Sequence, residues 1–202
     1  MKRVGITGGM GCGKSTVVTE FRKLGIPCFV CDLEAARYYY NPDFLDELRH
    51  LLGDSVFFPD GTADKRAVAA RVFADRRLLE GLNAMIHPRV IDDFNWFCEQ
   101  NSDAPYILFE SAILYDYGFD RMMDRVICVY LDLAERLRRL GQRDGVGEET
   151  LMARISNQLP AEEMMRRADY VILNYEGNPR ARQVKYIDGE LRRLYDFMTI
   201  KH

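Results

Sequence analysis

The chain lacks any apolar run near the roughly 20 residues of a membrane-spanning helix, so no transmembrane segment is expected. It lacks an excess of either charge. Its 28 basic and 31 acidic residues leave a net charge of −3, which supplies no general pull toward nucleic acid or an anionic membrane. It also lacks a disulfide framework. The five cysteines, Cys12, Cys28, Cys31, Cys98 and Cys128, are odd in number and mostly in apolar surroundings, which suits a reducing compartment. Cys28 and Cys31 form a C-x-x-C, but no second pair exists to complete a tetrahedral zinc site. They fall in a predicted strand, where residues three apart face opposite ways, so two buried thiols are expected. Repeats, low-complexity stretches and an interdomain linker are absent. The first residues pass directly into a strand and leave no room for a signal peptide, so a cytoplasmic location is expected.

What is present begins at residue 8. Gly8-Gly9-Met10-Gly11-Cys12-Gly13-Lys14-Ser15-Thr16 fits the phosphate-binding pattern G-x-x-x-x-G-K-[ST]. Val4 to Thr7 reads as a short buried strand before it. Val17, Val18, Phe21 and Leu24 recur at helical spacing after it, until Gly25 and Pro27. Glycines let backbone N–H groups turn around a polyphosphate, and the helix N-terminus adds positive potential. The ATP-binding set is therefore Gly9, Gly11, Cys12, Gly13, Lys14, Ser15 and Thr16. Lys14 reaches the β- and γ-phosphates, and the Ser15 hydroxyl sits on Mg²⁺. Cys12 sits beside a helix N-terminus, which lowers a thiol pKa, but the reading preferred is a small residue tolerated in the loop.

Further strands are predicted at 28–31, 106–109, 125–131 and 170–173. Asn41-Pro42 opens a helix that Gly53 closes, and Asp60-Gly61 marks a turn. Residues 65–86 read as helix with a break near Asp75, and Pro88 as the opening of another. An arginine-rich helix carries Arg136, Arg138 and Arg139. Arg143 follows it in a turn, and 148–168 reads as two helices joined at Leu159-Pro160. A final amphipathic helix spans 178–198. Strands separated by helices predict an α/β fold with a parallel sheet covered on both faces. This is the three-layer α/β/α P-loop NTPase class, with a five-stranded core, a helical substrate-binding insertion and a lid. The expected division of the single unit is core 1–32, 104–138 and 169–202, helical acceptor-binding region 33–103, and lid 139–168.

Ligands of an open parallel sheet bind beyond the carboxyl ends of its strands. Thr7, Asp32, Glu110 and Asn174 fall at such ends. A carboxylate at Asp32 is placed beside the P-loop, where it orients a phosphoryl acceptor and takes its proton, ligates Mg²⁺, or does both. The competing reading is a helix N-cap. Glu110 ends an apolar strand as a Walker-B acid does, with a magnesium role or a capping role. Guanidinium groups on a closing lid stabilise the charge of phosphoryl transfer. Of the three helix arginines two are expected on a solvated face, and Arg143 is the candidate lid residue. His87 reads equally as a structural hydrogen bonder or an acceptor contact, and Asn174 as a base contact or plain loop.

Together these residues resemble the dephospho-coenzyme A kinase family over nearly the whole chain. The resemblance runs through Ile6–Thr16, Asp32 before Ala35-Ala36-Arg37, Asp60-Gly61 before Arg66, and Leu82-Asn83-Ala84 with His87-Pro88. It continues through Gln142-Arg143-Asp144, Gln158-Leu159-Pro160 and Ala168–Ile172 with Asn174. It implies transfer of the ATP γ-phosphate to the ribose 3′-hydroxyl of dephospho-coenzyme A, with Mg²⁺, and a fold similar to nucleoside monophosphate kinases. It implies Asp32 as general base, Arg143 as a lid arginine on the phosphates, and Thr7 and His87 on the acceptor side. The partners expected are ATP and dephospho-coenzyme A, with no nucleic acid and no membrane. The chain departs from the pattern at Val30, where the family often has an aspartate, and at Ala112–Asp116, which stands for Pro-Leu-Leu-x-Glu. Two other readings remain. One is a kinase for a nucleoside monophosphate or sugar acid. The other is a regulatory nucleotide-binding module, against which stands the lack of the guanine-reading string Asn-Lys-x-Asp.

Overall fold

The computed structural model describes residues 1–199. Two compact units divide the chain: Met1–Val30 with the chain from Gln100 onward, and Cys31–Glu99.

In the first unit five parallel strands run β1 (Arg3–Thr7), β2 (Cys28–Val30), β3 (Ile107–Glu110), β4 (Arg125–Tyr130) and β5 (Tyr170–Leu173). Their order in the sheet is β2-β3-β1-β4-β5. Each is short and nearly all apolar, as strands buried on both faces are. Val4 and Ile6 share one face of β1. They join a core with Val17, Val18 and Phe21 of α1 (Lys14–Lys23) and Val184, Ile187 and Leu191 of α9 (Arg180–Thr199). Gly5 and Thr7 occupy the other face. A Cβ on Gly5 would lie 3.0 Å from Leu114 and Met123 side-chain atoms, so the 111–124 segment packs directly on the strand there. Helices α6 (Leu133–Asp144), α7 (Glu148–Ile155) and α8 (Ala161–Arg167) fill the span between β4 and β5. The result is the three-layer α/β/α arrangement.

The second unit is helical: α2 (Cys31–Arg37), α3 (Pro42–Leu52), α4 (Lys65–Ala74) and α5 (Arg76–Gln100), whose last residue passes into the first unit. Its core gathers Phe44, Leu48, Leu52, Val56, Val68, Val72 and Leu82. Asn41 caps α3 by accepting from Phe44 N at 3.0 Å, with Pro42 at the first helical position. Such a cap contributes about 1 kcal/mol. Asp64 caps α4 by accepting from Arg66 N and Ala67 N. Among the described residues no helix is long and apolar enough to cross a membrane.

Three local expectations are corrected. Pro88 does not open a helix but lies inside α5. A proline there removes one backbone donor and crowds the preceding turn. The acceptor it deprives is the carbonyl of Ala84, and the helix runs on because Val90, Phe94 and Cys98 continue the buried stripe. The second strand stops at Val30, so Cys31 and Asp32 open α2 instead of ending the strand. Asp32 and Glu34 in the first turn suit the helix dipole. Cys28 and Cys31 are both buried, though only Cys28 is in the strand, and all five cysteines are free thiols. Third, Arg143 is not in a turn but in the last turn of α6. The left-handed stop is Gly145, at φ 65°, with its N–H on Gly141 O.

Candidate active site

The chain leaves β1 at Thr7, loops through Gly8–Gly13, and enters α1 at Lys14. Three alternate carbonyls of the loop accept from side chains. Gly8 O accepts from Lys14 Nζ at 2.9 Å, Met10 O from Arg136 Nε at 2.7 Å, and Cys12 O from Asn174 Nδ2 at 2.6 Å. These bonds fix the conformation of the glycine loop, whose remaining N–H groups are the donors a polyphosphate needs. Gly13 has φ 88°, and a Cβ there would lie 2.2 Å from Asn174 Nδ2. Gly13→Ala is expected to lose about 1–2 kcal/mol from the left-handed backbone alone. It should also displace Asn174, seen as lower thermal stability together with loss of ATP binding.

β3 lies beside β1, with Ile6 paired to Glu110. The carboxylate on the strand next to the loop is therefore Glu110, since β2 is one strand further out. Glu110 is buried, and its Oε1 stands 3.9 Å from Lys14 Nζ. Thr7 is fully buried, and its Oγ1 has no hydrogen-bond partner among the described residues. The hydroxyl residues Ser15 and Thr16 are exposed in the first turn of α1. Asn174 is 1% exposed. Its Oδ1 accepts from Arg180 Nη1 at 2.9 Å, and its backbone O from Arg139 Nη2 at 3.0 Å. Its amide thus supports the loop from behind.

Cys12 is a buried small residue of the loop and not an activated thiol. It is 1% exposed, and burial raises its thiol pKa, outweighing Lys14 and the helix end. A buried neutral thiol is a packing residue.

The arginines of α6 divide three ways. Arg138 pairs with Glu135 at the surface, and Arg139 pairs with Glu135 while reaching Asn174. The hydrogen bonds from Arg138 and Arg139 hold the Glu135 carboxyl down to about 2. Arg143 hydrogen-bonds the neighbouring Asp144 through Nε at 2.6 Å and Nη2 at 3.1 Å. Arg136, one of three helix arginines of which two were expected on a solvated face, is 4% exposed and lies on the loop. Gln158 also reaches the loop, accepting from Met10 N at 2.9 Å. Neither contact was legible as chemistry. The available signal was the i, i+4 pair Arg136 and Leu140 opposite the side-chain-free Gly9 and Gly11.

Thr7, the loop, Lys14, Glu110 and Asn174 thus come together within one unit. Asp32 and His87 belong to the other. Asp32 is exposed in the first turn of α2, and His87 is half-buried in the interior of α5. Burial lowers the His87 pKa below its ordinary 6.5. Unfolded chains therefore bind the proton more readily, and stability present above 6.5 is lost as pH falls through the lower folded value. His87→Gln is expected to flatten this acid-side loss, checked by urea midpoints between about pH 7.5 and 5.

A parallel sheet with β1 and β3 adjacent, a glycine loop, its lysine and a buried strand-end acid define a P-loop kinase. The family model CoaE, dephospho-CoA kinase, matches residues 2–179. A dephospho-CoA kinase of Bacteroides fragilis is 35% identical over 183 residues, covering 90% of this chain and 89% of that relative. The crystal structure of TT1252 from Thermus thermophilus matches with a TM-score of 0.84 at 33% identity, over 94% of this chain and 97% of that one. The dephospho-CoA kinase from Campylobacter jejuni shares the fold, with a TM-score of 0.62 at 19% identity over 94% and 97%. The chain belongs to the dephospho-CoA kinase family, and with it is an ATP-dependent phosphotransferase of coenzyme A biosynthesis.

Proposed function

We propose that this chain transfers the γ-phosphate of ATP to the ribose 3′-hydroxyl of dephospho-coenzyme A through the following residues. The observation that carries the reading is the P-loop, three of whose carbonyls are held by Lys14, Arg136 and Asn174, with Lys14 between Gly8 O and Glu110. Loop N–H groups and Lys14 bind the phosphates, with Gly9, Gly11, Cys12, Gly13, Ser15 and Thr16 as the cradle and Asn174 as its rear support. Asp32 takes the proton of the acceptor hydroxyl as the γ-phosphoryl departs from ADP. Arg143 exchanges Asp144 for phosphate oxygens when the lid closes. Thr7 and His87 line the acceptor side. In this reading 33–103 binds the acceptor, 139–168 is the lid, and 1–32, 104–138 and 169–202 form the core.

Mg²⁺ fits the donors available. The exposed Ser15 hydroxyl and the carboxylates of Glu110 and Asp32 are hard oxygen donors of the kind this ion takes. Ser15, with Glu110 and Asp32 directly or through water, would hold the ion. It would supply neutralisation of charge on the phosphate oxygens.

The test is ADP release from ATP and Mg²⁺ with dephospho-coenzyme A, AMP, CMP, gluconate and shikimate in parallel. Rapid release with dephospho-coenzyme A alone, with coenzyme A as product, is expected. Release with another acceptor would remove the acceptor assignments, His87 first. ATP hydrolysis without any acceptor is expected to stay slow, because acceptor binding completes the site.

A further inference from the structure

Arg136 is a buried cation without a directly paired anion, the Glu162 carboxylate acting on it only through space. It is 4% exposed, and among the described residues it forms no ion pair. Its one hydrogen bond there runs from Nε to Met10 O at 2.7 Å. The guanidinium lies flat against the loop. A Cβ on Gly9 would meet its Nη2 at 2.4 Å, Cζ at 2.5 Å and Nη1 at 2.8 Å. One turn on, Leu140 packs against Gly11 in the same manner, its Cγ 2.8 Å from where a Cβ would stand. This face of α6 is therefore fitted to the two side-chain-free positions of the loop. On Met10 a second contact acts, because its N–H is taken by Gln158 Oε1 at 2.9 Å. Both polar backbone groups of one loop residue are thus held by side chains from the segment between β4 and β5.

We propose that Arg136 and Gln158 form a latch between this segment and the P-loop, and that Arg136 is a positioning residue whose charge is balanced by the ATP polyphosphate. A buried guanidinium left without a counter-charge is costly. The anion that fills the loop supplies that charge across the bare backbone of Gly9, where no side chain screens it. Occupancy of the loop then stabilises the latched arrangement, and the latch stabilises the loop geometry that binds phosphate. The two effects are reciprocal, since they are one coupling free energy. The sequence segment that carries the lid arginine is by this means tied to the nucleotide before any acceptor arrives.

The experiment measures ATP affinity by calorimetry and ATP-induced thermal shifts in wild type, Arg136→Met, Arg136→Lys, Gln158→Ala and the Arg136→Met/Gln158→Ala double variant. Arg136→Met is expected to keep or raise the melting temperature without nucleotide, because a desolvated charge is removed. Its ATP affinity should fall by about tenfold or more, with the ATP-induced shift at least halved. Arg136→Lys, which retains the charge, should stay within about threefold of wild type. The effects of Arg136→Met and Gln158→Ala should be less than additive, because both act through Met10. A lower melting temperature in Arg136→Met with unchanged ATP affinity would mark a merely structural residue and overturn the proposal. If that variant does not fold, Arg136→Lys decides: a tenfold loss of affinity overturns the charge role. Additive effects overturn the shared latch. The inference rests on ATP filling the loop, so a wild type that binds no ATP would remove both readings, whereas wild-type behaviour in the variants removes only the latch.

Discussion

Lys14→Met is expected to lower kcat/KM by at least about 10³-fold, equivalent to about 4 kcal/mol of lost transition-state stabilisation. Lys14 Nζ sits 2.9 Å from Gly8 O and 3.9 Å from Glu110 Oε1, and both side chains are mostly out of water, at 12% and 7% exposure. A cation so enclosed acts on phosphate oxygens with little dielectric screening. Methionine keeps the length of the side chain but removes the charge and the donor to Gly8. Glu110 then loses a cationic neighbour in a buried position, and stability should fall by roughly 1–3 kcal/mol. Steady-state ADP release together with thermal unfolding separates the two effects. A variant within about tenfold of wild type would remove Lys14 from the phosphate contacts.

Asp32→Asn should lower kcat by about 10²–10⁴-fold with little change in ATP affinity. The replacement has the same shape and leaves the phosphate cradle intact. Asp32 is exposed in the first turn of α2, so stability should change only by the dipole contribution, about 0.3–1 kcal/mol. The two roles open to this carboxylate give different kinetics. A general base leaves the Mg²⁺ requirement unchanged, so the lost rate is not restored at any Mg²⁺ concentration. A metal ligand raises the Mg²⁺ concentration needed for half-maximal rate, and excess Mg²⁺ restores part of the activity. Unchanged kcat would exclude both.

Features set by near neighbours in the chain were legible. The P-loop between strand and helix, Asn41-Pro42 opening α3, Gly53 closing it, and the Asp75 break each follow from a few adjacent residues. The readings that went astray applied one sound local rule where a competing local or distant signal prevails. Pro88 marks a helix start in isolation, yet the apolar stripe of Val90, Phe94 and Cys98 carries the helix past it. Arg143 looked like part of a Gln-Arg-Asp-Gly turn, but the left-handed stop comes only at Gly145. Cys12 has the helix end that lowers a thiol pKa, and burial by strands far away in sequence outweighs it. The largest omission, Arg136, has the same form. Its separation from Met10 is 126 positions, and no local pattern reports which of three neighbouring arginines turns inward.

The carbonyl ties of the P-loop bear on how the chain is made. The loop is synthesised before the side chains that support it, since two of its three ties come from Arg136 and Asn174, 126 and 162 residues later. A nascent chain that has emerged only as far as Leu131 contains the whole motif and neither of these side chains. Such distant closures are late events in folding, because their loop entropy must be met before they form. Nucleotide capture therefore belongs to the end of folding, when β5 has docked and Asn174 is in place. ATP binding becomes a sensor of completed assembly, blind to fragments and intermediates that carry the motif but not its supports.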